Sequence, residues 1–124
     1  MFGRCRSLLL ISGLAVLSAN AGAADVKSYA GTYQGRIPLE AGSCDTPDRI
    51  FSLVVDQRGA ARMLFYRRSG NSLRGLVDST GAVRLSLLMK IGRMDLVGTI
   101  DGKRLVGKMT SDQGCTWTID LKRT

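Results

Sequence analysis

From about residue 29 onward, apolar and polar residues alternate with period 2 between closely spaced turn signals, and no stretch sustains a period of 3.6. Such alternation places successive side chains on opposite faces of an extended chain, which suits strands with one buried face. The chain is therefore expected to be all-β.

An internal repeat sharpens this reading. Val54-Val55-Asp56-Gln57-Arg58-Gly59-Ala60-Ala61-Arg62-Met63 matches Leu76-Val77-Asp78-Ser79-Thr80-Gly81-Ala82-Val83-Arg84-Leu85, 22 residues later. Asp-x-x-Gly suits a three-residue hairpin whose glycine supplies positive φ. Pairing Asp56 with Ala60 sets Leu53 against Met63 and Val55 against Ala61; pairing Asp78 with Ala82 sets Val77 against Val83 and Gly75 against Leu85. Apolar residues stay on one side in both hairpins, and a slip of one residue would turn them outward. Thr99-Ile100-Asp101-Gly102 reads as a shortened third copy, with Asp101-Gly102 as a two-residue turn pairing Ile100 with Lys103. Extended to the last hairpin, this reasoning pairs Met109 with Cys115 and sets Gly107 opposite Trp117, leaving room for the indole.

The turns delimit eight expected strands, near 29–38, 49–56, 60–66, 72–78, 82–89, 94–101, 103–110 and 115–122, with a loop over 39–48. Successive connections make the topology an antiparallel up-and-down meander. The inward set is Tyr33, Ile37, Phe51, Leu53, Val55, Met63, Phe65, Leu73, Val77, Val83, Leu85, Leu87, Met89, Met94, Leu96, Ile100, Leu105, Met109, Trp117, Ile119 and Leu121. Outward arginines and lysines exclude an outer-membrane barrel, whose outer face meets hydrocarbon.

Arg4 and Arg6 precede an apolar run from Leu8 to Ala19 that ends in Ala21-Gly22-Ala23-Ala24. Residues 1–24 thus read as a signal-peptide helix cleaved before Ala24 or Asp25, leaving 25–124 as one domain and no transmembrane segment in the mature chain. The run is shorter than the ~20 residues a spanning helix needs. The segment carries two of the 18 basic residues and none of the 10 acidic ones, so the remainder stands at +6. Export implies an oxidising compartment, and the protein is expected to be secreted, into a bacterial periplasm. There Cys44 and Cys115, the two cysteines beyond residue 24, are expected to form a disulfide. Both lie at one end of the meander. In a closed small barrel the first and last strands are neighbours and the bridge clips the seam; in an open, flattened sandwich these residues lie on opposite edges. The barrel is expected.

Gly31-Thr32-Tyr33 in the first strand and Arg123 after the last resemble the Gly-x-Trp and C-terminal basic residue of calycin-type barrels: lipocalins, avidins and small bacterial protease inhibitors. The resemblance implies a closed barrel whose aromatic seals one end under the basic side chain, and binding or inhibition rather than catalysis. The general layout also resembles small uncharacterised secreted proteins of proteobacteria, which implies localisation.

No histidine is present, so the commonest general base and metal ligand are missing. No catalytic residue, metal site or cofactor is expected. Asp56, Asp78 and Asp101 read as turn residues rather than a cation-binding ring. The candidate binding residues are Glu40, Asp45 and Asp48 in the cysteine loop, Arg67, Arg68, Lys90 and Arg93 in turns at the same end, and an outer basic flank of Arg62, Arg74 and Arg84, with Arg62 and Arg84 both beside Leu76. These point to a non-enzymatic binding module, as an inhibitor or otherwise, whose partner is an envelope protein or an anionic surface such as lipid headgroups or acidic polysaccharide. Tyr66, the single exposed aromatic expected near the flank, is a further candidate binding residue, but one aromatic is not the stacking platform of a nucleic-acid binder. Two alternatives stand beside this: a carrier of a small apolar ligand inside the barrel, and an envelope protein that self-associates through outward Leu64, Leu76 and Leu88.

Overall fold

The computed structural model describes residues 25–67, 70–90 and 92–124, so the expected signal segment lies outside the described residues. Among the described residues nine strands form one antiparallel sheet: β1 (Gly31–Gly35), β2 (Leu39–Ala41), β3 (Phe51–Val55), β4 (Ala60–Leu64), β5 (Ser72–Val77), β6 (Ala82–Met89), β7 (Gly92–Asp101), β8 (Arg104–Ser111) and β9 (Thr116–Arg123). They run in the order β1-β3-β4-β5-β6-β7-β8-β9-β2, and β1 also pairs with β9, so the sheet closes. β1 meets β9 through Tyr33↔Arg123, while β2 meets its other end through Leu39↔Trp117. The two segments share one strand position, and the architecture is an eight-stranded antiparallel barrel.

The expected first strand, 29–38, is therefore broken. Its beginning is a short 3-10 helix, Val26–Tyr29, capped by the Asp25 carboxylate, which accepts from the Lys27 N–H at 3.1 Å. Proline at position 38 has no N–H to give a ladder, yet its carbonyl still accepts from Thr118 at 3.1 Å. Three residues of the expected loop then resume pairing as β2.

The first two hairpins adopt the expected register, with Leu53↔Met63, Val55↔Ala61, Val77↔Val83 and Gly75↔Leu85. In each turn the aspartate Oδ1 accepts two backbone N–H bonds, from Arg58 and Ala60 or from Thr80 and Ala82. The third member of this turn family is not at Asp101. It is Ser111-Asp112-Gln113-Gly114-Cys115, where Ser111 N–H donates to the Cys115 carbonyl and Gly114 N–H to that of Ser111. At Asp101 the central turn residues are Gly102 and Lys103, with Ile100 paired to Leu105.

Both later hairpins thus sit two residues from the expected register. Met109 faces Trp117 and Gly107 faces Ile119, so Gly107 does not make room for the indole. Its role is close approach of backbones: a Cβ there would lie 2.2 Å from the Val97 carbonyl oxygen. Gly75 is tighter still, since a Cβ would lie 1.8 Å from the Arg84 oxygen. Side chains at these two positions would hold the strands apart.

The interior is filled by side chains. Twenty of the 21 residues of the inward set are buried, joined by Ala61 and Cys115, and Met89 is partly buried at the margin. Phe51 stacks on Phe65 with centroids 4.9 Å apart, and Phe65 meets Trp117 edge-on at 5.4 Å. The Cys44–Cys115 disulfide spans the seam with Cα atoms 6.1 Å apart. Among the described residues no helix is long and apolar enough to cross a membrane.

Candidate functional site: the cysteine end of the barrel

The two ends of the barrel are built differently. At one end the 3-10 helix covers the core: Tyr29 packs on the core cluster and its hydroxyl donates to the Ser79 carbonyl at 3.3 Å. Beneath it Arg123 donates from Nε and Nη2 to the Tyr33 hydroxyl, at 3.1 and 2.7 Å, and that hydroxyl donates to the Tyr29 carbonyl.

The other end carries the disulfide and two adjoining clefts. The first, about 370 Å³, reaches the buried faces of Trp117 and Met94 and is walled by Met89, Cys44 and Tyr66. Arg93 and Asp112 stand at its edge. They are joined through the backbone, with Arg93 N–H donating to Asp112 Oδ2 at 3.0 Å and Asp112 N–H to the Arg93 carbonyl at 3.0 Å. The second cleft, about 540 Å³, shares Asp45 and Tyr66 with the first and adds Thr46, Pro47, Arg49 and Arg67.

Two hydrogen bonds tie the cysteine loop to the barrel beside these clefts, and Arg49 just after it is held separately. The Trp117 indole N–H donates to Thr46 Oγ1 at 2.7 Å, so the loop is tied to the core ring below it. Tyr66 donates its hydroxyl to the Asp45 carbonyl at 3.0 Å. Burial, helped by the Asp45 charge, raises the Tyr66 phenol above its ordinary pKa. Arg49 donates to the carbonyls of Leu64 and Phe65 at 2.9 and 2.6 Å and lies 4.3 Å over the Phe51 ring. Burial, with the nearby Arg67 charge, lowers the Arg49 pKa.

The expected site residues fall into separate groups. The three acidic residues do not converge. Glu40 pairs with Lys108 at 3.2 Å on the outer wall, and that hydrogen bond, followed by one from Thr118, lowers its pKa. Asp48 pairs with Arg36. Only Asp45 reaches the clefts. Arg67 lines the second cleft and Arg93 the first, while Lys90 is exposed on the β6–β7 connection and Arg68 lies outside the described residues. Asp95 holds Arg93 at 3.0 Å and also accepts from Ser86, which is the main cause of its lowered pKa.

The basic flank exists in altered form. Arg84 is beside Leu76 as expected, but Arg62 pairs with Arg74, not with Leu76. Leu76 and Leu88 are exposed and Leu64 half-buried. Arg74 and Ser86 occupy the row between Leu76 and the row of Ser72 and Leu88, so the three leucines do not form one continuous patch.

Arg49 and Met94 are site residues that the sequence did not single out for binding, while Thr46 and Asp112 lie in two of the cysteine-end loops expected to carry the site, 40–48 and 110–114. The offset of Gly114 from Ser111 repeats that of Gly59 from Asp56 and was the available signal for the turn presenting Asp112. Arg49 gave none, because its partners are far along the chain.

No protein-family model, curated protein or solved structure matches this chain.

Proposed function

We propose that this protein is a non-enzymatic binding module of the bacterial periplasm, delivered there by residues 1–24 as a signal peptide, and that it engages an envelope protein with the cysteine end of its barrel. The observation that carries the reading is the first cleft. Its base of Trp117 and Met94 belongs to the barrel wall, while its rim comes from the cysteine loop and two turns. Binding surfaces collect where loops are held by a rigid scaffold, and an aromatic and methionine base rimmed by a guanidinium and a carboxylate suits an inserted apolar side chain. An inhibitor is one form such a module takes.

The Tyr33–Arg123 arrangement supports the calycin-like reading within the broader class of antiparallel barrels, with tyrosine standing where those families carry tryptophan. A cargo inside the barrel is less well supported, because Phe51, Phe65 and Trp117 occupy the interior with ring contacts of 4.9 and 5.4 Å.

The test is site-specific photo-crosslinking in intact cells. A crosslinker in place of Gln113, at the cleft, is expected to trap a discrete protein adduct that one in place of Lys103, at the opposite end, does not. Equal labelling from both positions, or none from Gln113, overturns the reading.

A further inference from the structure

The outer face of β4 to β7 sets arginines and exposed apolar side chains in adjacent rows. In one row across it Leu76 pairs with Arg84 and Arg84 with Val97. The next row toward the cysteine end runs Arg62, Arg74, Ser86 and Asp95. Beyond it, two residues past Ser86, stands Leu88. Rows lie ~7 Å apart and neighbouring strands ~4.8 Å apart, so the group fits within a few nanometres squared of surface.

Two features of this grid are unfavourable to the isolated protein. Arg62 and Arg74 are directly opposite one another, a like-charge cross-strand pair that destabilises a sheet. Among the described residues neither they nor Arg84 has a carboxylate within 4.0 Å, although five other basic residues are ion-paired. Asp78 stands at the edge of the group, its carboxylate hydrogen-bonded by Thr80 and Ala82 and also interacting electrostatically with Arg84, so that Arg62 and Arg74 are the less compensated pair. The second feature is apolar exposure: Leu76 is 66% exposed, Leu88 78% and Val97 52%.

We infer that this face docks on an anionic phospholipid surface, the arginines meeting phosphate groups while Leu76, Leu88 and Val97 enter the interface between headgroups and acyl chains. Each half of the pattern excludes a simpler partner. A second copy of the chain on this face would bring a second set of arginines into the same interface, adding like charge to like charge. A soluble polyanion would satisfy the arginines but leave the leucines in water. A bilayer interface accepts both, since adsorption there combines buried apolar area with attraction to anionic lipid. The inference goes beyond the partner proposed for the cysteine end, because it uses another face and different residues.

The test is co-sedimentation of the barrel, residues 25–124, whose core cluster lies within that segment. The vesicles are equal parts phosphatidylglycerol and phosphatidylcholine, with phosphatidylcholine alone as the control. Binding is expected only to the anionic vesicles and is expected to weaken with salt. Arg62→Ser and Arg74→Ser should each weaken it about fivefold, corresponding to the ~1 kcal/mol that a basic residue contributes beside an anionic leaflet. Leu76→Ser with Leu88→Ser should also weaken vesicle binding while leaving binding to heparin unchanged. Arg84→Gln, which removes one charge but keeps a long polar side chain at an exposed position, provides a second variant should a serine variant fail to fold, which Trp117 fluorescence reports. No preference for anionic vesicles overturns the proposal. So does vesicle binding that ignores the leucines while heparin binds as tightly, which would make this a polyanion surface. Crosslinking from Gln113 is unaffected by either result, so the two proposals fail separately.

Discussion

The Arg123 guanidinium lies 5.2 Å from the centroid of the Tyr33 ring and also donates two hydrogen bonds to its hydroxyl. One residue from the end of β9 thus meets one from the middle of β1, at the place where the barrel closes. Arg123 Nη2 further donates to the Ser28 carbonyl at 2.7 Å, which fixes the 3-10 helix over the same end.

Tyr33→Phe should therefore cost more than one ordinary hydrogen bond. The change leaves the Tyr29 carbonyl and the Arg123 donors without their shared partner, and the expected loss is about 1–3 kcal/mol. Denaturant unfolding followed by Trp117 fluorescence measures it. In a double-mutant cycle with Arg123→Ala the losses should be clearly less than additive; additive losses would mean that the contact is energetically idle.

Removing the disulfide by Cys44→Ala with Cys115→Ala should destabilise the barrel by about 4 kcal/mol, the chain-entropy value for a loop of this length. The bridge closes a sequence separation of 71 residues. Reduction of the unaltered protein should lower its thermal midpoint similarly, and a midpoint indifferent to reductant would contradict the seam-clip role.

Glycine substitutions separate two causes. Gly75→Ala places a methyl where the Arg84 carbonyl already is, so a loss of about 2–3 kcal/mol is expected from overpacking alone. Gly102→Ala meets nothing within 4 Å but sits at φ +63°. It should cost only the ~1–2 kcal/mol of a left-handed backbone. Comparable denaturant midpoints for the two variants would show that strand approach at Gly75 is not tight.

Acid should weaken the fold through its carboxylates. Asp78 is held below its ordinary pKa of 3.8, chiefly by the Thr80 side chain and then by backbone N–H groups. Asp56 is lowered mainly by the Ala60 and Arg58 N–H bonds, and Asp120 mainly by its hydrogen bond with Arg104. A carboxyl whose folded pKa is depressed adds stability above its unfolded pKa and loses it as pH falls through the folded value. Stability should thus be flat from neutrality to about pH 5 and decline below about pH 4. Asp78→Asn should make that decline shallower in denaturant titrations at stepped pH; an unchanged slope would show that the turn carboxylate is not coupled to folding.

What the sequence by itself determined is which side of each strand faces the core, because that depends only on alternation. Leu105, Met109, Trp117 and Ile119 are buried as expected even though the last two hairpins sit two residues from the expected register. A slip of two keeps every side chain on its face, so the apolar pattern is blind to it. Turn chemistry resolved the register at Asp56 and Asp78, where an aspartate and a glycine agree. It misled at Asp101-Gly102, where the turn falls one residue later. Tertiary structure alone decided the break between β1 and β2, the hydrogen bond from the Trp117 indole to Thr46, and the separation of Glu40, Asp45 and Asp48. The physical reason is distance along the chain: Thr46 and Trp117 are 71 residues apart, and Glu40 and Lys108 are 68. Contacts of that span are set by how the barrel closes, which no local periodicity encodes.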